Sequence, residues 1–155
     1  MNKILTILLF FLTQPLLSAG TSSDSSNKID NSDQVKIIYS KAEIHIANED
    51  YVKSIKLLRA LTKREDLGGL RADIYNLLGY SYRKIDDPNL EKSFAAYMMA
   101  LEIDPNHIGA HEYLGELYLM LNQKSKSIKI LKQLEILAGK ESSEYLELQK
   151  AINKY

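Results

Sequence analysis

The sequence DIYNLLGYSYRKIDDPNLEKSFAAYMMALEIDPNHIGAHEYLGELY, residues 73–118, contains two copies of one short pattern. The first copy is L-L-G-Y-S-Y and the second is Y-L-G-E-L-Y. Their glycines, Gly79 and Gly115, are 36 residues apart, and a tyrosine, Tyr82 or Tyr118, follows each glycine by three positions. A fixed period of this length is typical of an array in which each repeating unit is a pair of helices.

An earlier copy of the pattern precedes this stretch, with Ala42 in the position of the glycines and His45 in the position of the tyrosines. Each copy then has a serine on its second helix, followed at four and seven positions by residues suited to a core. These sets are Ser54, Ser93 and Ser127; Leu58, Tyr97 and Leu131; and Leu61, Ala100 and Leu134. We expect the small residue of each first helix to let the second helix approach closely at the serine.

This pattern resembles the tetratricopeptide repeat, in which Leu-Gly, Tyr, a small residue, an aromatic residue, Ala and Pro recur in each unit. The resemblance implies an all-α fold, a right-handed α-solenoid of three helix pairs with a C-terminal capping helix. The repeats are expected at residues 35–68, 72–106 and 108–141, and the capping helix at residues 142–154. The chain departs from the pattern because it has no tryptophan and carries the closing proline only at Pro105.

The resemblance also implies a function, because the first helices of such repeats line a concave groove that binds a protein or peptide. Mapped by position, this groove is lined by Lys36, Tyr39, Glu43, Asp73, Asn76, Tyr80, Arg83, Lys84, Glu112, Tyr113 and Glu116. We expect Tyr80 and Arg83 to be solvent-facing anchors, with the guanidinium of Arg83 available to a ligand carboxylate. Glu116 would then face the opposite charge of the ligand.

Composition excludes several other classes of function. Lys plus Arg and Asp plus Glu are 20 each, and this balance argues against nucleic acid or an anionic membrane surface as the main partner. The chain has no cysteine, which rules out thiol catalysis, thiolate metal sites and redox switching. No phosphate-binding glycine loop, G-x-S-x-G or H-E-x-x-H motif is present. The sequence therefore predicts a protein that is not an enzyme and has no cofactor.

The N-terminus predicts export. Lys3 precedes an apolar run over residues 4–12, and small residues follow at Ala19 and Gly20. This order is that of a secretory signal peptide, expected to cover residues 1–20 and to be cleaved after Ala19 or Gly20. The alternative is a membrane anchor, which needs about 20 apolar residues. We expect a periplasmic protein without membrane insertion after cleavage, with a disordered linker at residues 21–33 and Asp33 capping the first helix.

Two further hypotheses remain open from the sequence. His107 and His111 are four residues apart, so they share a helix face and suggest a metal-handling protein. Against this, His111 occupies an aromatic position of the repeat, and a metal site needs three or four ligands. The other hypothesis is a structural subunit that uses the helical array to associate with itself.

Overall fold

The structure, a computed structural model, describes residues 30–155, and in this range it is entirely helical, with no strand. The helices are α1 (Asn31–Ala47), α2 (Tyr51–Leu61), α3 (Arg71–Lys84), α4 (Leu90–Ile103), α5 (Ile108–Met120), α6 (Lys124–Ala138) and α7 (Ser143–Lys154). A short 3₁₀ turn, Gly68–Leu70, precedes α3. None of these helices is both long enough and apolar enough to cross a bilayer. The predicted signal peptide, and the predicted linker as far as residue 29, lie outside the described residues.

The first helix begins earlier than the sequence pattern predicts. Asn31, Ser32 and Asp33 form the first turn of α1, so the assignment of these residues to a linker is wrong, and Asp33 is not the N-cap. Asp30 occupies that position, although its side chain makes no capping hydrogen bond. Asp33 suits the first turn because a carboxylate is stabilised by the positive end of the helix dipole. Periodicity misses this turn because it has no apolar residue.

Side-chain caps fix the starts of four later helices. The backbone N–H of Lys53 donates to Asp50, and that of Lys92 donates to Asn89. Ser142 accepts from the backbone of α7 in the same way. At α5 the cap is His107, since its Nδ1 atom accepts from the N–H of Ala110 at 3.1 Å. Such caps satisfy backbone donors that have no partner within the helix.

The helices form three antiparallel pairs, α1 with α2, α3 with α4 and α5 with α6, and α7 packs on both α5 and α6. The second helix of each pair also contacts the next first helix. In addition, α1 contacts α3, α3 contacts α5 and α5 contacts α7, whereas α2, α4 and α6 make at most marginal contact with one another. The array therefore curves around the side of the first helices. This confirms the predicted solenoid of three helix pairs and a capping helix.

The predicted packing positions are correct for the second helices, except that Leu131 is only partly buried. Ser54, Ser93 and Ser127 have no exposed surface, and the same is true of Leu58 and Tyr97. Between α3 and α4 the contact is the expected one, because the Oγ atom of Ser93 donates to the carbonyl of Gly79 at 2.8 Å. A Cβ atom on Gly79 would lie 2.7 Å from two atoms of the Tyr97 ring. Only glycine allows this close approach.

The third pair uses its glycine differently. A Cβ atom on Gly115 would lie 2.5 Å from a methyl group of Leu148, which belongs to α7 and not to α6. The Oγ atom of Ser127 is buried without a hydrogen-bond partner, so the hydrogen bond between Ser93 and Gly79 has no counterpart in the third pair. Gly115 contacts Leu148 because α7 takes the place of a following first helix. It buries Leu148 completely against α5.

Candidate interaction surface on the first helices

Part of the predicted groove forms one compact group around the side chain of Arg83. Four tyrosines from four helices lie around Arg83. We call them the tyrosine cluster: Tyr51, Tyr80, Tyr97 and Tyr113. The ring centroids of Tyr80 and Tyr113 are 4.9 Å apart, and Tyr51 meets Tyr80 edge-on at 6.1 Å. Tyr97 lies 6.1 Å from Tyr113. Aromatic pairs in these tilted and edge-on arrangements attract one another.

Arg83 is the centre of this group and is only 9% exposed. Its Nη2 atom lies 2.5 Å from a carboxylate oxygen of Glu116, and its Nε–H donates to the hydroxyl of Tyr97 at 3.4 Å. Its guanidinium carbon lies 5.6 Å from the ring centroid of Tyr80 and 5.5 Å from that of Tyr113. The planar cation therefore joins α3, α4 and α5 through an ion pair, a hydrogen bond and two cation–π contacts.

The ionisation states at this centre are fixed by burial and by the ion pair. Burial alone would lower the pKa of Arg83, but Tyr97 and Glu116 raise this pKa above its ordinary value, so the guanidinium stays charged. Burial raises the pKa of Tyr97 to about 12, so its hydroxyl stays neutral. The positive charge of Arg83 is thus compensated within the protein.

Two of the predicted roles are wrong for this reason. Arg83 is not a solvent-facing anchor for a ligand carboxylate, and Glu116 does not provide a separate charge at the other end of the groove. These two residues bind each other, and the guanidinium of Arg83 supports the rings of Tyr80 and Tyr113. The accessible side chains at this surface are the partly exposed Tyr80 and Tyr113, together with the exposed Lys84, whose Nζ atom lies 5.8 Å from the Tyr80 ring centroid.

Acidic side chains border the tyrosine cluster toward the capping helix. Burial raises the pKa of Glu112 to about 7, and the charges of Glu116, Glu144 and Glu147 act in the same direction while Arg83 opposes them. Burial, with the charge of Glu112, also raises the pKa of Tyr113 to about 12. This end of the surface is therefore acidic, and part of its charge comes from α7.

The α1 residues predicted for the groove lie toward the N-terminal end of the same surface. Lys36 and Glu43 are exposed, and Lys36 forms an ion pair with Asp33 at 3.6 Å. Tyr39 is half-buried against the first hydrophobic core. Burial, with the charges of Asp73 and Glu43, raises the pKa of Tyr39 above its usual range. This side chain is therefore a packing residue that remains partly accessible.

Between these two regions, Asp73 and Asn76 of α3 meet the start of α5. An Oδ1 atom of Asp73 lies 3.1 Å from the Nε2 atom of His107. Since the Nδ1 atom of His107 accepts a backbone hydrogen bond, its ring proton lies on Nε2 and is donated to Asp73. Asn76 is 7% exposed, so its prediction as an open groove residue is wrong, and its Oδ1 atom has no hydrogen-bond partner.

Both histidines of the metal hypothesis have structural roles. His107 caps α5 and binds Asp73, while the Nε2 atom of His111 lies 2.9 Å from the carbonyl oxygen of Pro105. His111 is 8% exposed, as expected for a residue in an aromatic packing position. Among residues 30–155, no three side chains of the His, Cys, Asp and Glu types are placed to hold a metal ion. Nothing in this region favours a metal site.

Sequence reasoning missed four contributors to this surface: Tyr51, Tyr97, Glu144 and Glu147. The repeat pattern predicts Tyr97 correctly as a core residue, and the signal for its second role is that a buried phenol needs a hydrogen-bond partner. Tyr51 directly follows the cap of α2, where no repeat position marks it. The glutamates reach the site because α7 packs on α5, and this contact has no counterpart within a single repeat.

Comparison with known proteins gives the same picture of the fold. Residues 96–129 match the family model described as "Tetratricopeptide repeat". The chain is 33% identical over 94 residues to "Tetratricopeptide repeat protein 37" of Xenopus laevis, a match that covers 59% of this chain and 6% of that protein. A solved chain from the "CopN-Scc3 complex" has a TM-score of 0.61 at 21% identity, covering 82% of this chain and 71% of the other. The first two matches support a tetratricopeptide-repeat protein, and the third supports the helical-repeat fold.

Proposed function

We propose that this protein is an exported adaptor that binds a protein or peptide on the concave face of its first helices and scaffolds a complex in the cell envelope. The observation that carries the proposal is the pair Tyr80 and Tyr113, whose rings lie 4.9 Å apart and are held by the buried Arg83. Tyrosine is enriched among residues that dominate binding energies, because a fixed ring gives a large contact area at a low entropic cost.

The comparisons support a protein as the class of partner. The repeat matched at residues 96–129 is a module of helix pairs whose stacking creates an extended concave surface. One solved structure with this fold is described as a complex, "CopN-Scc3 complex". The absence of known catalytic motifs from the sequence fits a role in binding, and we propose that the protein has no enzymatic activity.

Export rests on the N-terminal sequence. The short apolar run at residues 4–12, followed by Ala19 and Gly20, has the composition of a secretory signal. We expect mass spectrometry of the protein recovered from a periplasmic extract to show a chain beginning at Gly20 or Thr21. A protein that stays in the membrane fraction with Met1 retained would instead identify this segment as an anchor.

The binding proposal is tested with peptides selected on the immobilised full chain from a random-peptide display library. We expect Tyr80→Ala to weaken the binding of a selected peptide by about 2 kcal/mol, which raises its Kd roughly 30-fold, as measured by fluorescence anisotropy. The matched control is Met98→Ala, which truncates an exposed side chain on α4 and should change Kd by less than about twofold. Circular dichroism must show that both variants stay helical.

The opposite pattern of effects would contradict the proposal that the peptide binds in the groove. If Met98→Ala weakens peptide binding and Tyr80→Ala does not, the ligand binds the second helices.

Sedimentation velocity at several concentrations tests the remaining hypothesis, self-association. A sedimentation coefficient that rises with concentration and returns to that of a monomer when the selected peptide is added would show that another copy of this chain occupies the surface.

A further inference from the structure

The second helices carry an unusual arrangement of charge on their solvent side. On α2 and just beyond its end, the residues Val52, Lys56, Arg59 and Lys63 follow one another at steps of four, three and four, so they share one face. All four are exposed, and the side chain of Val52 is 71% exposed. The opposite face of α2 is the one that buries Leu58 and Leu61 in the core.

The outer face of α6 repeats this arrangement. Ile128, Lys129, Lys132 and Ile136 lie at helical spacing and are all exposed, with Ile136 at 79%. Ile136 and Val52 are the two most exposed large aliphatic side chains among residues 30–155. Each of them therefore stands on a face that also carries lysines. We call these two faces together the basic outer surface, although α4, with the exposed Glu91 and Glu102, lies between them in the array.

The charge of this surface is offset only in part by the neighbouring residues. No Asp or Glu occurs in residues 51–63, and the one acidic residue of α6 is the exposed Glu135, which forms an ion pair with Lys140 at 3.2 Å. Within the part of the chain that the structure describes, Lys56, Arg59, Lys63, Lys129 and Lys132 form no ion pair. The balance of 20 basic and 20 acidic residues therefore conceals a segregation of charge. The acidic residues Glu112, Glu144 and Glu147 lie on the opposite, first-helix side.

We propose that the basic outer surface docks on an anionic phospholipid bilayer. Lysine and arginine near such a bilayer are attracted by its negative surface potential, and their aliphatic stems allow them to lie at the interface. Val52 and Ile136 have no partner among residues 30–155 that covers them, and the acyl boundary of a bilayer would bury them. The two faces have no aromatic side chain on which a base could stack, so nucleic acid is a poorer fit.

This docking would orient the molecule as well as attach it. Because the first and second helices form opposite sides of the solenoid, a bilayer bound by α2 and α6 leaves the tyrosine cluster facing away from the lipid. The groove would remain open to a partner while the protein is on the membrane. The docking does not depend on what the groove binds, so the two proposals succeed or fail separately.

Vesicle sedimentation with the full chain tests the proposal. The measured quantity is the ratio of two partition coefficients, one on vesicles of phosphatidylcholine with about 30% phosphatidylglycerol and one on phosphatidylcholine alone. This ratio cancels any apolar binding by residues 4–12. We expect a ratio of at least about 100 in dilute buffer, since each basic residue contributes about fivefold. The ratio should fall toward one in half-molar salt because exposed charges are screened.

Two variants with the same change in net charge locate the surface. Replacing Lys56, Arg59, Lys129 and Lys132 with glutamine should lower the ratio by about 100-fold or more. The control variant replaces four other exposed lysines with glutamine, namely Lys36, Lys41, Lys150 and Lys154, which lie on first helices or on α7. It should lower the ratio by less than about fivefold. Val52→Ser with Ile136→Ser should reduce partitioning on the anionic vesicles by about tenfold and leave partitioning on neutral vesicles unchanged.

Three results would overturn the proposal. One is a ratio near one for the unmodified chain in dilute buffer. Another is an equal loss in the two four-residue variants, which would mean that only the net charge matters. The last is a chain that shows no preference for anionic vesicles but binds a fluorescent DNA duplex tightly. In that case the four glutamine replacements on α2 and α6 would abolish DNA binding, and the Val52 and Ile136 changes would not affect it. That result would assign the basic outer surface to nucleic acid.

Discussion

At the level of single residues, Arg83 differs most from what its position in the repeat suggests. Its place on a first helix predicts an exposed groove residue, and Tyr80 and Lys84 on neighbouring positions do have accessible surface. The side chain of Arg83 is buried because α5 presents Glu116 and Tyr113 to it, while α4 presents Tyr97. The register between these helices is set by packing, so a pattern within one helix does not predict the ion pair.

Removing Arg83 should destabilise the fold. Arg83→Ala leaves the carboxylate of Glu116 and the hydroxyl of Tyr97 without their partner, and we expect the free energy of unfolding in urea to fall by about 2–4 kcal/mol. The figure lies toward the lower part of the range for buried pairs because the side chain of Glu116 is 26% exposed. Lys84→Ala, on the next residue, is the control and should change stability by less than about 0.5 kcal/mol. Equal stability in the two variants would contradict the buried pair.

The raised pKa of Glu112 predicts a pH dependence of stability. Burial raises this pKa to about 7 from an ordinary value of 4.5. Between those values the folded state binds more protons than the unfolded state, so the contribution of Glu112 to stability decreases as the pH rises from about 4.5 to about 7. After discounting for solvent screening, we expect about 1 kcal/mol less stability from this group at about pH 8 than at about pH 4.5.

The variant Glu112→Gln isolates this contribution. It removes the titrating carboxyl but keeps the shape of the side chain, so the variant should gain stability relative to the original chain as the pH rises from about 5 to about 8. The measurement is urea unfolding of both proteins across that range. A stability difference between them that does not change with pH would show that Glu112 titrates near its ordinary pKa.

At the level of helices, the sequence predicts the elements and their pairing well. The period of the glycine, tyrosine and serine positions predicts the three helix pairs. Two features were not predictable from the repeat. The first turn of α1 has no apolar residue, and Gly115 packs on a helix that follows the last repeat.

Gly79 provides the test of helix packing. Alanine is normally the better helix former by about 1 kcal/mol. At this position, however, a Cβ atom would lie 2.7 Å from the Tyr97 ring and 3.1 Å from the carbonyl oxygen of Ser93. We therefore expect Gly79→Ala to lower the free energy of unfolding by about 1–3 kcal/mol, measured by urea denaturation.

Gly69→Ala is the control for that variant, since a Cβ atom on Gly69 would meet nothing within 4 Å. It should leave stability within about 0.5 kcal/mol of the original value. If Gly79→Ala stabilises the protein, as helix propensity alone would have it, α3 and α4 do not approach each other as closely as described.

For the whole molecule, the repeat pattern predicts the architecture, whereas composition describes the surface poorly. The solenoid follows from three copies of one pattern, because each pair exposes an apolar face that its neighbour covers. A balanced total charge argues against a charged partner, but this total averages over two different regions. One is the outer face of α2 with Lys56, Arg59 and Lys63, and the other is the acidic end around Glu112. The segregation of charge between the two sides becomes visible only when the helices are paired.

The central claim is that the partner binds the side of the first helices. The most direct measurement is a map of amide chemical shifts from ¹H–¹⁵N spectra of the full chain, recorded while a peptide selected from the display library is added. We expect the largest shift changes in α3 and α5, around Tyr80, Lys84 and Tyr113, with little change at the outer residues of the second helices, such as Lys56, Met98 and Lys132. Shift changes concentrated on the second helices, with α3 and α5 unaffected, would contradict the claim.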